Sequence, residues 1–170
     1  MKIFGFAGWS GSGKTTLIEA LIPVLAQQEG RVSLVKHAHH AFDVDQPGKD
    51  SWRHRQAGCT EVLVSSGVRW ALLHELRGDA ELTLPQALSR LSPCDLVLIE
   101  GYKAYPTPKL EIWRPGVGKP PLHPNDPHIA GIATDDAAAA RALSTLPVFR
   151  LDDVDAIATF VRERALHWPA

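Results

Sequence analysis

The octapeptide Gly8-Trp9-Ser10-Gly11-Ser12-Gly13-Lys14-Thr15 matches the pattern G-x-x-x-x-G-K-[ST] in full. It stands between an apolar run, Ile3 to Ala7, and a helical pattern carried by Leu17, Ile18, Leu21, Ile22 and Leu25. Strand, glycine loop and helix in that order describe a phosphate-binding P-loop. Glycines let the backbone wrap closely around phosphate oxygens, so that successive N–H groups and the positive end of the helix face the anion. Lys14 then neutralises the β and γ phosphates, the Thr15 hydroxyl ligates Mg²⁺, and Thr16 reaches an α-phosphate oxygen. Gly8, Ser10, Gly11, Ser12, Gly13, Lys14, Thr15 and Thr16 are therefore the expected nucleotide contacts.

Beyond the loop, Val32 to Val35 reads as a second strand delivering Lys36 and His37 to its end, and Asp50 or Ser51 can cap a short helix running towards Gly58. Glu61 to Ser65 and Trp70 to His74 read as strands turning near Gly67, and Thr83 as the cap of a helix through Leu91. Asp95 to Gly101 forms a buried strand ending in an acid and a glycine, followed by strands at Leu110 to Trp113, Ile129 to Thr134 and Val148 to Leu151. Asp152 or Asp153 can cap a closing helix. Pro23 falls inside the first helix and throws its last turn into question. Alternating strands and helices imply an α/β fold of the P-loop NTPase type, a mainly parallel sheet flanked by helices that binds ligands at the carboxyl ends of its strands. With 170 residues and 45% hydrophobic content, a single domain over 1–170 is expected. Seven of the 13 prolines lie between Pro106 and Pro127, which marks 104–127 as a lid or a dimer arm.

Charge and composition exclude several classes. Eighteen basic and 19 acidic residues give a net charge of -1, with no broad footprint for nucleic acid. No apolar run approaches the ~18 to 20 residues that span a bilayer, and the N-terminal segment reads as a strand rather than a signal peptide. Cys59 and Cys94 are the only cysteines and form no CxxC pair, which fits a reducing cytoplasm.

Glu100 is the Walker-B-like candidate, placed to hold a Mg²⁺-bound water or to polarise an attacking one. Asp43, Asp45 and Asp50 lie in or beside the loop after the second strand, where P-loop proteins sense the γ-phosphate, and Asp43 is the expected metal ligand among them. His37, His39 and His40 invite a metal reading, but no second ligand cluster accompanies them. Lys36, Lys49 and Arg53 are either surface charge or contacts to a second anionic ligand. The N-K-x-D guanine signature is absent, so these residues leave ATP and GTP both open.

The segments AGWSGSGKTTL, VKHAHHAFDVDQPGKDSWRHRQAG, RWAL and LVLIEGYK together resemble the MobB family, in family order and over roughly the first two-thirds of the chain. The resemblance implies GTP binding with Mg²⁺, weak hydrolysis, and an adaptor role in molybdopterin guanine dinucleotide biosynthesis. It also implies a MobA-type guanylyltransferase as partner, molybdopterin or its carriers as further contacts, and a homodimer. Ala133-Thr134-Asp135 resembles the family's degenerate guanine-reading loop, in which Asp135 would accept from guanine N1 and N2; a helix cap is its other reading. A P-loop small-molecule kinase, for which Arg114 and Lys119 are the candidate basic lid residues, and a nucleotide-ordered switch are the competing functions.

Overall fold

Lys2–Ala7 (β1) is flanked on both sides by parallel partners, so its alternate side chains enter two different cores. Phe4 and Phe6 point to one face, where they meet Leu17, Ile18, Leu21 and Leu25 of the helix Lys14–Glu29 (α1) and Ile157, Phe160 and Val161 of Val154–Arg164 (α5). Ile3 points to the other, with Val97, Ile99 and the two leucines Leu84 and Leu88 of the short helix Leu84–Leu88 (α3). Burial on both faces is the reason these strands are apolar runs rather than alternating ones. The computed structural model describes residues 1–38 and 42–169.

The sheet runs Val32–Lys36 (β2), Leu96–Glu100 (β5), β1, Lys109–Ile112 (β6), Ile129–Thr134 (β7) and Val148–Arg150 (β8), all parallel. A two-residue strand, Leu166–His167 (β9), pairs antiparallel with Lys2 and Ile3 of β1. The helix Ala137–Leu143 (α4) covers Trp113 and Ile132 through Ala140. Helices therefore lie on both faces, as the sequence reading expects.

A single domain is the sequence expectation, whereas the chain divides into two compact units, residues 1–37 with 84–170 and residues 38–83. The smaller unit holds the helix Asp50–Gln56 (α2) and an antiparallel hairpin of Glu61–Ser65 (β3) and Trp70–His74 (β4). Its hairpin forms a separate two-stranded sheet, and its centre is polar. Arg55 donates to Asp43, Asp45 and Glu75, and the Ser51 hydroxyl donates to Asp45.

Several local expectations change. α1 continues through Pro23 to Glu29 because Pro23 and Glu19, whose carbonyl loses its bond, both lie on the exposed side where water replaces the partner. Lys49, not Asp50 or Ser51, is the N-cap of α2, without a side-chain bond. The helix after Thr83 stops at Leu88 rather than Leu91. Asp153 caps α5 by accepting from the Ala156 N–H.

Candidate functional site

β1 ends at Ala7 and α1 begins at Lys14, so residues 8 to 13 form the loop that the motif demands. A Cβ on Gly8, whose φ is +151°, would lie 2.5 Å from the Ile112 carbonyl oxygen and 2.7 Å from Ser12 Oγ, so no larger residue fits there. Gly11 and Gly13 face open space. Ser10, Thr15 and Thr16 are exposed, and α1 has no side-chain cap, which leaves its first-turn N–H groups for a ligand. Ser12 Oγ is buried without a hydrogen-bond partner, an orphan acceptor and donor in the middle of the loop. The Lys14 ammonium folds back over the loop and donates to the carbonyls of Gly8 and Trp9, each at 2.9 Å. Burial holds it below the usual lysine range; Glu100 opposes that shift, and the charges of Lys103 and Lys36 reinforce it.

Register brings the acid to the same place. Glu100 is the last residue of β5, opposite Phe6 on β1 and Lys36 on β2. It is 8% exposed, and its carboxylate meets Lys36 Nζ at 3.3 Å. The chain then turns sharply. Gly101 (φ +96°) and Tyr102 (φ +43°) are both left-handed, and a Cβ on Gly101 would sit 2.7 Å from the Cβ of His37. A tyrosine in this conformation costs ~1 kcal/mol or more, the kind of strain that collects at functional sites.

Trp9 joins the loop to the proline-rich stretch. Its indole donates to the Pro120 carbonyl at 2.7 Å, while the Trp113 indole donates to the neighbouring Lys119 carbonyl at 3.1 Å. Glu111, fully buried on β6, accepts from the backbone N–H groups of Leu122 and His123 and pairs with the His123 ring. Lys109, also buried, pairs with Asp126 at 2.9 Å. Residues 119 to 126 are thus tied to β6 and to the loop by polar groups. The sequence reading passes over Trp9, Lys103 and Glu111 as site residues, and offers Lys119 only, with Arg114, as a basic residue of a kinase lid. The signal available for Glu111 was a charged residue inside a run otherwise reading as a buried strand.

Asp135 follows β7 and is held by Arg114 Nε at 2.7 Å. The cap of α4 is Asp136, which accepts from the Ala139 N–H, so the helix-cap alternative for Asp135 falls to its neighbour. Asp135 instead lines a cavity of about 530 Å³ with Thr134, Arg141, Arg150 and Asp152, at the carboxyl ends of β7 and β8.

Asp43 lies in the smaller unit, where its carboxylate takes Arg55 at 2.6 Å and the Asp45 N–H at 3.0 Å; the bond from Arg55 is the main cause that keeps it below the usual carboxylate range. Lys49, Asp50 and Arg53 are exposed on the same unit. His37 follows β2 with its ring 5.0 Å from that of Tyr102, and His39 and His40 lie outside the described residues. Among the described residues, no group of three or more His, Cys, Asp or Glu side chains is arranged around a metal position. A nucleotide-bound Mg²⁺ needs no such cage, because phosphate and water complete its shell. The open N–H groups, Lys14, the Thr15 hydroxyl and the Glu100 carboxylate fit such a group.

Residues 3–135 match the family model described as molybdopterin guanine dinucleotide synthesis protein B. The molybdopterin-guanine dinucleotide biosynthesis adapter protein of Escherichia coli (strain K12) is 42% identical over 96% of this chain and 93% of its own length. The protein of that name from Haemophilus influenzae is 43% identical over 79% of this chain and 75% of its own. Among solved structures, a molybdopterin-guanine biosynthesis protein B superposes with a TM-score of 0.71 at 26% identity, covering 95% of this chain and 98% of that one. Bacillus subtilis MobB superposes with a TM-score of 0.77 at 24% identity, covering 99% and 100%, a likeness of fold. A complete P-loop on a mainly parallel sheet, a family match across most of the chain and close relatives along nearly all of it lead to one conclusion: this chain belongs to the MobB family.

Proposed function

We propose that the chain is a GTP-binding adapter in molybdopterin guanine dinucleotide biosynthesis, with Mg²⁺ and slow hydrolysis, acting in the cytoplasm beside a MobA-type guanylyltransferase. The observation that carries this is the convergence of the glycine loop, Lys14 and Glu100 at the carboxyl edge of β1 and β5. In this reading Lys14 leaves the Gly8 and Trp9 carbonyls for the β and γ phosphates, and the N–H groups of 11 to 16 hold their oxygens. Thr15 and Glu100 would hold Mg²⁺, directly or through water, and the ion would supply positive charge against the phosphates. Glu100 orients the attacking water, and its ion pair with Lys36 holds the carboxylate in place. The cavity at Asp135 takes the base, with the carboxylate accepting from guanine N1 and N2, a contact that adenine does not reproduce.

The adapter also works as a homodimer. No helix among the described residues is long and apolar enough to cross a membrane, yet Leu63, Val64, Val68, Trp70 and Leu72 are exposed on one hairpin. A lone hairpin is marginal and an apolar surface of this kind marks an interface, so the β3–β4 hairpin, rather than 104–127, is the contact for a second copy.

The test is turnover of GTP alone and with a MobA-type guanylyltransferase. Slow hydrolysis accelerated by the partner supports the adapter. Rapid stoichiometric phosphorylation of a small acceptor would replace it with a kinase.

A further inference from the structure

Two ammonium groups stand over the ring of Trp9. Lys103 Nζ lies 5.4 Å and Lys119 Nζ 5.9 Å from its centroid, and neither makes an ion pair with a carboxylate among the described residues. They come from different parts of the chain. Lys103 is carried by the left-handed turn at Gly101 and Tyr102, directly after Glu100. Lys119 is placed by the paired indole bonds, from Trp113 to its own carbonyl and from Trp9 to the next. Lys14 adds a third cation to this neighbourhood and feels the charge of Lys103, while Glu100 is already shared with Lys36.

Gathering like charges in this way is unfavourable unless an anion is to be bound. The aromatic ring accounts for part of the arrangement, but a cation–π contact does not require two lysines from separate loops, nor a strained turn to deliver one of them. Trp9 is the residue after the first glycine of the loop, on the far side of the motif from the lysine and threonine that take the β-phosphate and the metal.

We propose that Lys103 and Lys119, set over Trp9, form a cationic clamp for a terminal phosphoryl group lying beyond the β-phosphate position of the P-loop. The group is either the γ-phosphate of the nucleotide or a phosphate monoester on a second ligand, and the clamp rests on the nucleotide-binding reading above. Its role is to recognise that phosphoryl group and, in the first case, to offset the charge that builds on it during hydrolysis.

The experiment compares wild-type protein with Lys103→Ala, Lys119→Ala and the double variant, all with Lys14 and Glu100 intact. Both lysines are exposed, so melting temperatures should stay level. Calorimetric titration with Mg·GTP and Mg·GDP reads the first source. The clamp predicts that the double variant loses about tenfold or more in GTP affinity while GDP affinity stays within about twofold, and that arginine at both positions restores GTP. Inorganic phosphate titrated into GDP-saturated protein, followed by tryptophan fluorescence, reads the second source: a saturable response in the wild type that vanishes in the double variant. Equal losses for GTP and GDP, or no change in either titration, overturn the clamp while leaving the P-loop assignment standing. Wild-type protein that binds neither nucleotide overturns the P-loop reading, and the clamp with it.

Discussion

The indole N–H of Trp9 donates to the carbonyl of Pro120 at 2.7 Å, so the phosphate loop and the proline-rich stretch share a hydrogen bond across more than a hundred residues of chain. A single such bond contributes ~1 kcal/mol net. Trp9→Phe keeps an aromatic face and removes the donor. Amide hydrogen exchange should then speed up about fivefold at Val117, Gly118, Lys119 and Leu122, with β5 unchanged. Uniform exchange across the two proteins would show that the stretch is held by Trp113, Glu111 and Lys109 without Trp9.

Base recognition is the second expectation. Asp136 caps α4 and Asp152 gives both oxygens to Arg150, whereas Asp135 bonds Arg114 through Oδ2 alone, so it is the acid of this cavity best placed to take a ligand. Asp135→Ala should reduce GTP affinity by about tenfold or more and erase any preference over ATP. Arg114→Ala, which frees the carboxylate from its 2.7 Å partner, should preserve the preference. Competition titrations with both nucleotides check this.

Acid stability follows from Glu29, which accepts from Arg162 at 2.7 Å and from Lys2 at 3.0 Å. Those bonds hold its carboxyl below the ordinary value of 4.5. A depressed folded-state value stabilises the protein fully above the unfolded value and is lost as pH falls through the folded one. Glu29→Gln should therefore melt earlier than wild type at neutral pH, and the gap should close as pH drops below about 4. A gap that persists in acid would assign the effect to packing between α1 and α5 instead.

Much of the fold is written in the sequence itself. β1, the loop and α1 follow from a complete motif with both flanking elements in place, and the bounds of β3, β4 and β7 coincide with their apolar runs. The misses share a cause, which is that tertiary contacts decide them. β9 is two residues that become a strand only by pairing with Lys2 and Ile3. α4 is an alanine-rich stretch with little periodic pattern, anchored by Asp136 and by Ala140 against Trp113. The turn near Gly67 joins β3 to β4 as the sequence suggests, but that the pair forms a sheet of its own is decided by which strands it meets, and the apolar runs do not carry that information. At the candidate site, Lys14 begins α1 and Glu100 ends β5, positions that the sequence pattern offers directly. The contacts of Lys103 with Trp9 and of Glu111 with Leu122 and His123 cross between loops, and nothing in their spacing announces them.

Calorimetric titration of wild-type and Lys14→Ala protein with Mg·GTP decides whether Lys14 and its loop bind a nucleoside triphosphate. Binding in the wild type that weakens by at least ~2 kcal/mol in the variant is the predicted result. Because burial depresses the Lys14 ammonium, wild-type affinity should also begin to fall with rising pH before the ordinary lysine value of 10.5 is reached. Equal affinity in the two proteins, or a wild type that does not bind GTP, would contradict the account.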